Sequence, residues 1–370
     1  MPAKRLSRRA FMLRLGGASA LITVVGTGLG RLLADRGSRS FAAPETLYPP
    51  PVDPAVPPES PPSLPLRAEA FDLLSGMRPE LTTLRDHYVV DINMLPPSID
   101  GQTWHLDVAG LVRQPLSLTL ADFFGESFGR PLQRFITLAC ISNPVGGDLI
   151  GTTLWTGVPV RRILERAGLL DAARWLRITG ADRYHETLDL SLALSDDRIM
   201  LAYMWENRPL SVGHGYPLRL YIPDRYGMKQ PKWITRLEVL PEYEEGYWVQ
   251  RGWDREARVR ALSVIDSVSL DSSIQRAGQR VIPLGGMAFA GARGISQVEV
   301  RVDNGPWQTA LLRSPLSTLT WVQWRYDWSF QPGSHTFTVR CVDGDGHHQL
   351  EHSAPPHPAG ASGLHSLLVG

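Results

Sequence analysis

Trp104, Leu106 and Val108 alternate with His105 and Asp107, the two-residue period of a half-buried strand. Leu111 to Pro115 turns the chain, and Thr119 then opens a short helix with Leu120, Phe123 and Phe124 inward. A second strand runs from Gln133 through Ala139 straight into Cys140. Pro159 suits the first turn of a helix on which Val160, Ile163, Leu164 and Ala167 fall at i, i+3, i+4 and i+7, and Gly168 ends it. Strands follow at Trp175 to Thr179, Pro217 to Ile222 and Trp233 to Leu240. Strands mixed with helices predict an α+β domain over residues 71–254.

Past residue 255 the helical period vanishes. Val298, Val300 and Val302 alternate, Asp303-Asn304-Gly305 makes a tight turn, and Trp321 to Phe330 and His335 to Val342 read as further strands. Short strands between turn signals predict an antiparallel β-sandwich over residues 255–370. Trp307, Trp321, Trp324 and Trp328 alternate with polar residues and are expected in the sandwich core or at a dimer contact, not around a ligand.

The N-terminal 70 residues follow neither rhythm. Ser7-Arg8-Arg9-Ala10-Phe11-Met12-Leu13 resembles a twin-arginine export signal, and the uncharged stretch Leu15 to Gly30 is weakly apolar. As a helix at about 1.5 Å per residue that stretch falls short of the roughly 30 Å hydrocarbon core, so residues 1–43 read as a secretion signal, with an N-terminal anchor as the alternative. Ten prolines between Pro44 and Pro65 make residues 44–70 a semi-rigid spacer. An exported protein follows, placed in the periplasm or on the outer face of the cytoplasmic membrane.

Charge removes one class of partner. With 38 Lys and Arg against 37 Asp and Glu, the net charge of +1 gives no long-range field to recruit nucleic acid. Cys140 and Cys341 are the 2 cysteines, and their separation excludes both a disulfide framework and a CxxC knuckle. Cys341 shares a strand face with Phe337 and Val339 and reads as a small buried hydrophobe. Cys140 ends a strand and is followed by Ile141-Ser142-Asn143-Pro144-Val145-Gly146-Gly147-Asp148, where proline and two glycines predict an exposed turn presenting the thiol.

A second segment, His214-Gly215-Tyr216-Pro217-Leu218-Arg219-Leu220-Tyr221-Ile222-Pro223, sets Arg219 opposite Leu218, Leu220 and Ile222. The following Asp224-Arg225-Tyr226-Gly227-Met228-Lys229-Gln230-Pro231-Lys232-Trp233 returns two lysines to the neighbourhood. Arginine, lysine and free backbone N–H groups together make a site for a phosphate-bearing anion. Tyr184-His185-Glu186 reads either as lining a pocket mouth or, at least as well, as a surface strand edge, and Asp343-Gly344-Asp345-Gly346-His347-His348 as a solvated hairpin tip in preference to a metal loop.

The strand-Cys-x-x-Asn turn, followed about 70 residues later by His-Gly-Tyr-Pro-Leu-Arg and Tyr-Gly-Met-Lys-x-x-Lys-Trp, resembles the sulfite oxidase family of molybdopterin-dependent oxidoreductases. The resemblance runs from about Tyr88 to the C-terminal sandwich, which resembles the family's immunoglobulin-like dimerisation domain and implies a homodimer. It implies molybdenum held by the dithiolene sulfurs of one molybdopterin and by the Cys140 thiolate, a soft anionic donor suited to a metal that cycles its charge. It further implies that Asp182, His214, Arg219, Gln230, Pro231 and Lys232 hold the pterin and its phosphate, with Tyr88 to Asn93 closing the other side.

Two positions depart from the family pattern. Asp91 stands where a substrate-binding arginine is expected, and Trp253 where an active-site tyrosine is expected, which weighs against sulfite unless Arg183, Arg251 or Arg255 substitutes. The expected function is oxygen-atom transfer to or from a small substrate. In the absence of a CxxCH or iron–sulfur cysteines, electrons pass through a separate partner, a cytochrome or a quinone-linked membrane protein. Two other classes remain open on the residues alone: a metal-independent enzyme with Cys140 as nucleophile and His185 or His214 as base, and a binding protein that keeps the fold without catalysis.

Overall fold

The computed structural model describes residues 71–370 apart from Gly125 and Ala277. The arginine pair, the apolar run and the proline-rich spacer therefore lie outside the described residues. Among those described, no helix is long and apolar enough to cross a membrane.

Among the described residues strands dominate, and the α-helices are two short segments, Val160–Ala167 and Leu190–Ser195. The mixed α+β expectation is thus too rich in helix. The helix predicted at Thr119 is one 3₁₀ turn, Leu120–Phe123, with the Asp122 carboxylate accepting from the Thr119 N–H at 2.8 Å. The helix read from the spacing of Val160, Ile163, Leu164 and Ala167 is present and buries those four side chains.

One sheet orders the strands Leu116–Thr119, His105–Gly110, Ile234–Leu240, Trp175–Gly180 and His185–Asp189. All its pairings are antiparallel except that of His105–Gly110 with Ile234–Leu240. Leu106 and Val108 point from it into an apolar core that the helix Val160–Ala167 closes. A second sheet pairs Leu132–Ala139 with Ile150–Pro159, then Met200–Trp205, which Arg219–Tyr221 flanks. Met200–Trp205 is buried throughout, a run without the alternation that betrays a strand in sequence.

The C-terminal part builds two more sheets. One carries Leu262–Val268, Gln279–Phe289, Val322–Ser329 and Leu311–Leu312; the other carries Gln308–Thr309, Ile295–Val302, His335–Asp343 and His365–Val369. Ile282, Leu284 and Trp324 from the first pack with Val298, Val300, Phe337, Val339 and Cys341 from the second, a shared sandwich core. Trp324 and Trp328 belong to that core, whereas Trp307 lies outside it under the guanidinium groups of Arg301 and Arg340. A further apolar cluster joins Ala139, Ile141, Tyr226 and Met228 to Val264, Met287, Phe289 and Trp321, so the loop after Cys140 is braced from the sandwich side.

Candidate cofactor site

Because Ala139 pairs with Ile150, residues 140–149 form the loop that closes a long hairpin. The Cys140 N–H donates to the Leu149 carbonyl at 2.9 Å and the Asn143 N–H to the Cys140 carbonyl at 3.1 Å. The Asn143 side chain folds inward and accepts from the Leu149 N–H at 2.9 Å. A Cβ at Gly147 would lie 2.5 Å from that Asn143 oxygen, so the inward fold requires glycine there.

This bracing overturns the expectation of an exposed thiol. Cys140, Ile141 and Asn143 are all buried, and Cys140 packs with Tyr88, Leu138, Leu149 and Trp155. Its Sγ lies 3.0 Å from the Ser142 hydroxyl. Burial pushes the thiol pKa up, partly opposed by hydrogen bonding from Ser142.

The anion-binding segment converges on the same interior. Gly215 has φ +107°, and a Cβ there would meet the Cβ atoms of Arg219 at 3.0 Å and Lys232 at 3.1 Å. Its missing side chain is what lets the two cations approach. Arg219 is buried, donates from Nη1 to the His214 carbonyl at 2.9 Å, and lies 4.9 Å and 5.2 Å from the ring centroids of Trp155 and Trp205. Its Nε has no hydrogen-bond partner, and among the described residues no carboxylate lies within 4.0 Å of it. Burial pushes the guanidinium pKa down to about 10.

His87 and His214 complete the wall. His87 sits 4.7 Å from the Trp205 ring and 5.4 Å from the His214 ring. Burial lowers the His87 pKa to about 4, with Arg219 adding to the effect. His214 falls well below its ordinary value through burial first, then through His87, Arg219 and Lys232. Both imidazoles are therefore neutral at pH 7. Tyr88 packs in the same cluster as Cys140: burial raises its phenol pKa, Cys140 raises it further and Arg219 opposes, while the hydroxyl itself is buried without a partner.

The remaining predicted residues divide. Lys232 donates to the Gly213 carbonyl at 2.8 Å and forms a close ion pair with Asp91. Asp91 is thus the internal counter-ion of the cradle and does not present a bare charge to a substrate. Asp182 is half-buried, accepts from the Tyr184 N–H at 3.0 Å, and has its pKa raised by burial with Lys232 opposing. Gln230 donates to the Arg225 carbonyl at 2.8 Å and keeps a buried, unpartnered Oε1, while the Pro231 carbonyl accepts from the Leu220 N–H at 3.0 Å. Asn93 is exposed. Trp253 stacks edge-on with Trp248 and His357, at 6.2 and 5.1 Å, and makes no ring contact with the cradle.

Lys229 does not join Lys232. It is buried in a close ion pair with Glu186, which also accepts from the Tyr184 hydroxyl at 3.3 Å. The supposed surface edge at Tyr184 and Glu186 is therefore interior, an acid whose burial is met by a lysine 43 residues away. Neither His185 nor His214 hydrogen-bonds to the Cys140 sulfur; the His185 Nε2 lies 3.2 Å from the Glu245 carbonyl. At the Asp343 hairpin, Asp343, Asp345 and His347 cluster, but Arg293 already holds Asp343 at 2.9 Å. Sequence reasoning missed His87, Trp155, Trp205 and Ser142; of these only Ser142, beside the cysteine in its turn, carried a local signal.

A buried arginine without a carboxylate, a second cation beside it, two neutral imidazoles and a soft sulfur fit an anionic cofactor with a thiophilic metal. Residues 93–248 match the oxidoreductase molybdopterin binding domain, a stretch that contains Cys140, Asp182, His214, Arg219 and Lys232. The chain is 28% identical over 287 residues to the nitrate reductase [NAD(P)H] of Hordeum vulgare, covering 64% of this chain and 32% of that protein. It is 29% identical over 194 residues to the nitrate reductase [NADH] of Petunia hybrida, covering 45% and 21%. The chain therefore spans about a third or less of these relatives. Its fold is similar to that of the sulfane dehydrogenase SoxCD from Paracoccus pantotrophus, with a TM-score of 0.66 at 20% identity over 80% of this chain and 82% of that one.

Fold, cradle and matched domain define a molybdopterin-dependent oxidoreductase with a molybdenum–molybdopterin cofactor. Within that class, these matches support the resemblance to the sulfite oxidase family carried by the cysteine turn and the cation-bearing segment.

Proposed function

We propose that the chain transfers an oxygen atom to or from a small substrate and exchanges the electrons with a separate redox protein. The observation that carries this reading is Arg219, buried, without a carboxylate within 4.0 Å among the described residues, flanked by Lys232 and lying over Trp155 and Trp205, which pack in the same cluster as Cys140. When bound, the molybdenum cofactor supplies a two-electron centre for oxygen-atom transfer.

The protein's own groups then have distinct tasks. Cys140 would give the metal a protein thiolate, and the surrounding apolar side chains keep water from that sulfur. Arg219, Lys232 and neutral His214 would hold the phosphate by charge and hydrogen bonding. Asp182 and Tyr88 would border the pterin from opposite sides. Asp91, being paired, leaves the pocket without the anion-binding arginine of sulfite oxidation, which supports a substrate other than sulfite.

Export fits Arg8-Arg9 and the apolar stretch behind it, since that route carries folded proteins that have taken up a buried cofactor. Cys341 is buried at 0% exposure, and with Cys140 assigned to the metal no cysteine of this chain is left for a second redox centre, which supports an external cytochrome or quinone-linked partner. The C-terminal sandwich would serve as an immunoglobulin-like dimerisation unit.

Metal analysis of protein purified from a molybdopterin-competent host tests the reading. About one molybdenum per chain is expected, falling at least tenfold in Cys140→Ser with the circular dichroism unchanged. Metal-free parent protein with a thiol alkylated at neutral pH would refute it. An absorbance change on adding sulfur oxyacids or sulfoxides would then identify the substrate class.

A further inference from the structure

We propose that Ser142 is a positioning residue for the cofactor's protein ligand: its hydroxyl donates a hydrogen bond to the Cys140 sulfur, fixing the sulfur's direction and withdrawing charge from it. The inference rests on the reading of Cys140 as the metal's thiolate.

The geometry begins with the turn. The Asn143 N–H donates back to the Cys140 carbonyl at 3.1 Å, which puts Ile141 and Ser142 at the two central positions. Ile141 is buried in the cluster that reaches the C-terminal sheets, so the turn is anchored from outside. On its inner side the Cys140 N–H is held by the Leu149 carbonyl and the Asn143 side chain by the Leu149 N–H. With three residues so fixed, the Ser142 side chain is carried over the sulfur, and Oγ and Sγ lie 3.0 Å apart. The sulfur is the one hydrogen-bond partner of that hydroxyl among the described residues.

The direction of the bond follows from chemistry. A thiolate sulfur has no proton to give, so the proton must come from Ser142. The other cysteine provides the contrast: the Cys341 sulfur lies 3.4 Å from the Gln349 Oε1, an oxygen that only accepts, and that arrangement suits a neutral thiol. The Ser263 hydroxyl near Cys341 donates to that same Gln349 oxygen at 2.6 Å, whereas the Ser142 hydroxyl has no competing acceptor among the described residues.

A hydrogen bond to a coordinating sulfur lowers its donor strength and favours the reduced metal. Removing the hydroxyl should therefore lower the midpoint potential and move the sulfur-to-metal charge-transfer band to longer wavelength. The experiment uses the full chain from a molybdopterin-competent host, as Ser142→Ala, Ser142→Thr and Ser142→Val, the last two differing chiefly in the hydroxyl. Metal content, the charge-transfer band and the midpoint potential are read for each.

The expected result is a red-shifted band and lowered potential in Ser142→Ala and Ser142→Val, with parental values in Ser142→Thr. Loss of metal from Ser142→Ala and Ser142→Val with retention in Ser142→Thr supports the same role. Loaded Ser142→Ala with parental band and potential overturns it, as does loss of metal from all three or an equal shift in the Thr and Val variants. Parent protein without molybdenum overturns the site reading itself and takes this inference with it, an outcome visible before any variant is made.

Discussion

Replacing Asp91 by Asn tests the electrostatic logic of the cradle. The Lys232 side chain is mostly buried, at 13% exposure, and Asp91, at 14%, reaches it from 141 residues away in the chain. Removing one member of a buried ion pair costs about 3–5 kcal/mol, because the other charge is left in a medium that cannot solvate it. Two features reduce that here. The Lys232 ammonium keeps the Gly213 carbonyl at 2.8 Å and the Trp233 ring at 4.4 Å from its centroid, and the Asn oxygen still accepts. A loss of about 2–3 kcal/mol is therefore expected for cofactor-free protein, or roughly 3–5 °C in melting temperature at this size. The assay is urea unfolding of Asp91→Asn, Lys232→Met and the double variant. The double variant should recover much of the loss, since it leaves no uncompensated charge. In cofactor-loaded protein the penalty should shrink, because the phosphate supplies a replacement anion. A loss below about 0.5 kcal/mol in cofactor-free protein, or an equal loss with and without cofactor, would refute the reasoning.

Two further outcomes follow from the same interior. Arg219→Lys keeps the charge but not the planar contact with Trp155 and Trp205 or the fork that reaches the His214 carbonyl, so it should lower molybdenum occupancy severalfold, and Arg219→Met more strongly; occupancy by metal analysis at parental level in Arg219→Met would exclude it from the cradle. His87 sets an acid limit on stability: its folded pKa of about 4 lies below the ordinary 6.5, so the unfolded chain takes up a proton that the folded chain refuses. Its effect is absent above pH 6.5 and grows by about 1.4 kcal/mol per pH unit down to pH 4, to roughly 3 kcal/mol, with His214 acting in the same direction. His87→Gln should flatten the stability–pH curve between pH 6.5 and 4, and an unchanged slope by denaturant titration at several pH values would refute the assignment.

Where a segment had one dry face and one wet face, its pattern was legible. The helix Val160–Ala167 and the strand His105–Gly110 each bury one stripe, and the spacing of their apolar residues says so. Met200–Trp205 and Ile150–Pro159 are buried on nearly all sides in the middle of a sheet, so neither shows a period and neither is visible in the pattern. Helix content was overestimated for a related reason. Thr119 and the inward Phe123 are compatible with a helix start, but the chain takes a single 3₁₀ turn before a second one at Glu126–Phe128.

The cradle was legible to the extent that its chemistry is local. Cys140 with Asn143, and His214 with Gly215 and Arg219, lie within a few residues of one another, because one turn must hold the sulfur and another must bring the cations together. Counter-charges obey no such spacing. Burial of a lysine demands an acid somewhere within contact, but the chain meets that demand from any distance: Asp91 for Lys232 and Glu186 for Lys229. The consequence for function is that two lysines equivalent in sequence become different groups. Lys229 is satisfied by an acid that is itself 1% exposed and held by Tyr184, so an incoming anion would have to displace an interior pair. Lys232 is paired to an acid on a loop that becomes exposed two residues further on, at Asn93, Met94 and Leu95, so that partner can yield at lower cost. Among the described residues Arg219 has no carboxylate within 4.0 Å to displace. On the proposed function, the order in which an entering phosphate would meet least resistance is therefore Arg219, then Lys232, with Lys229 reserved for the fold.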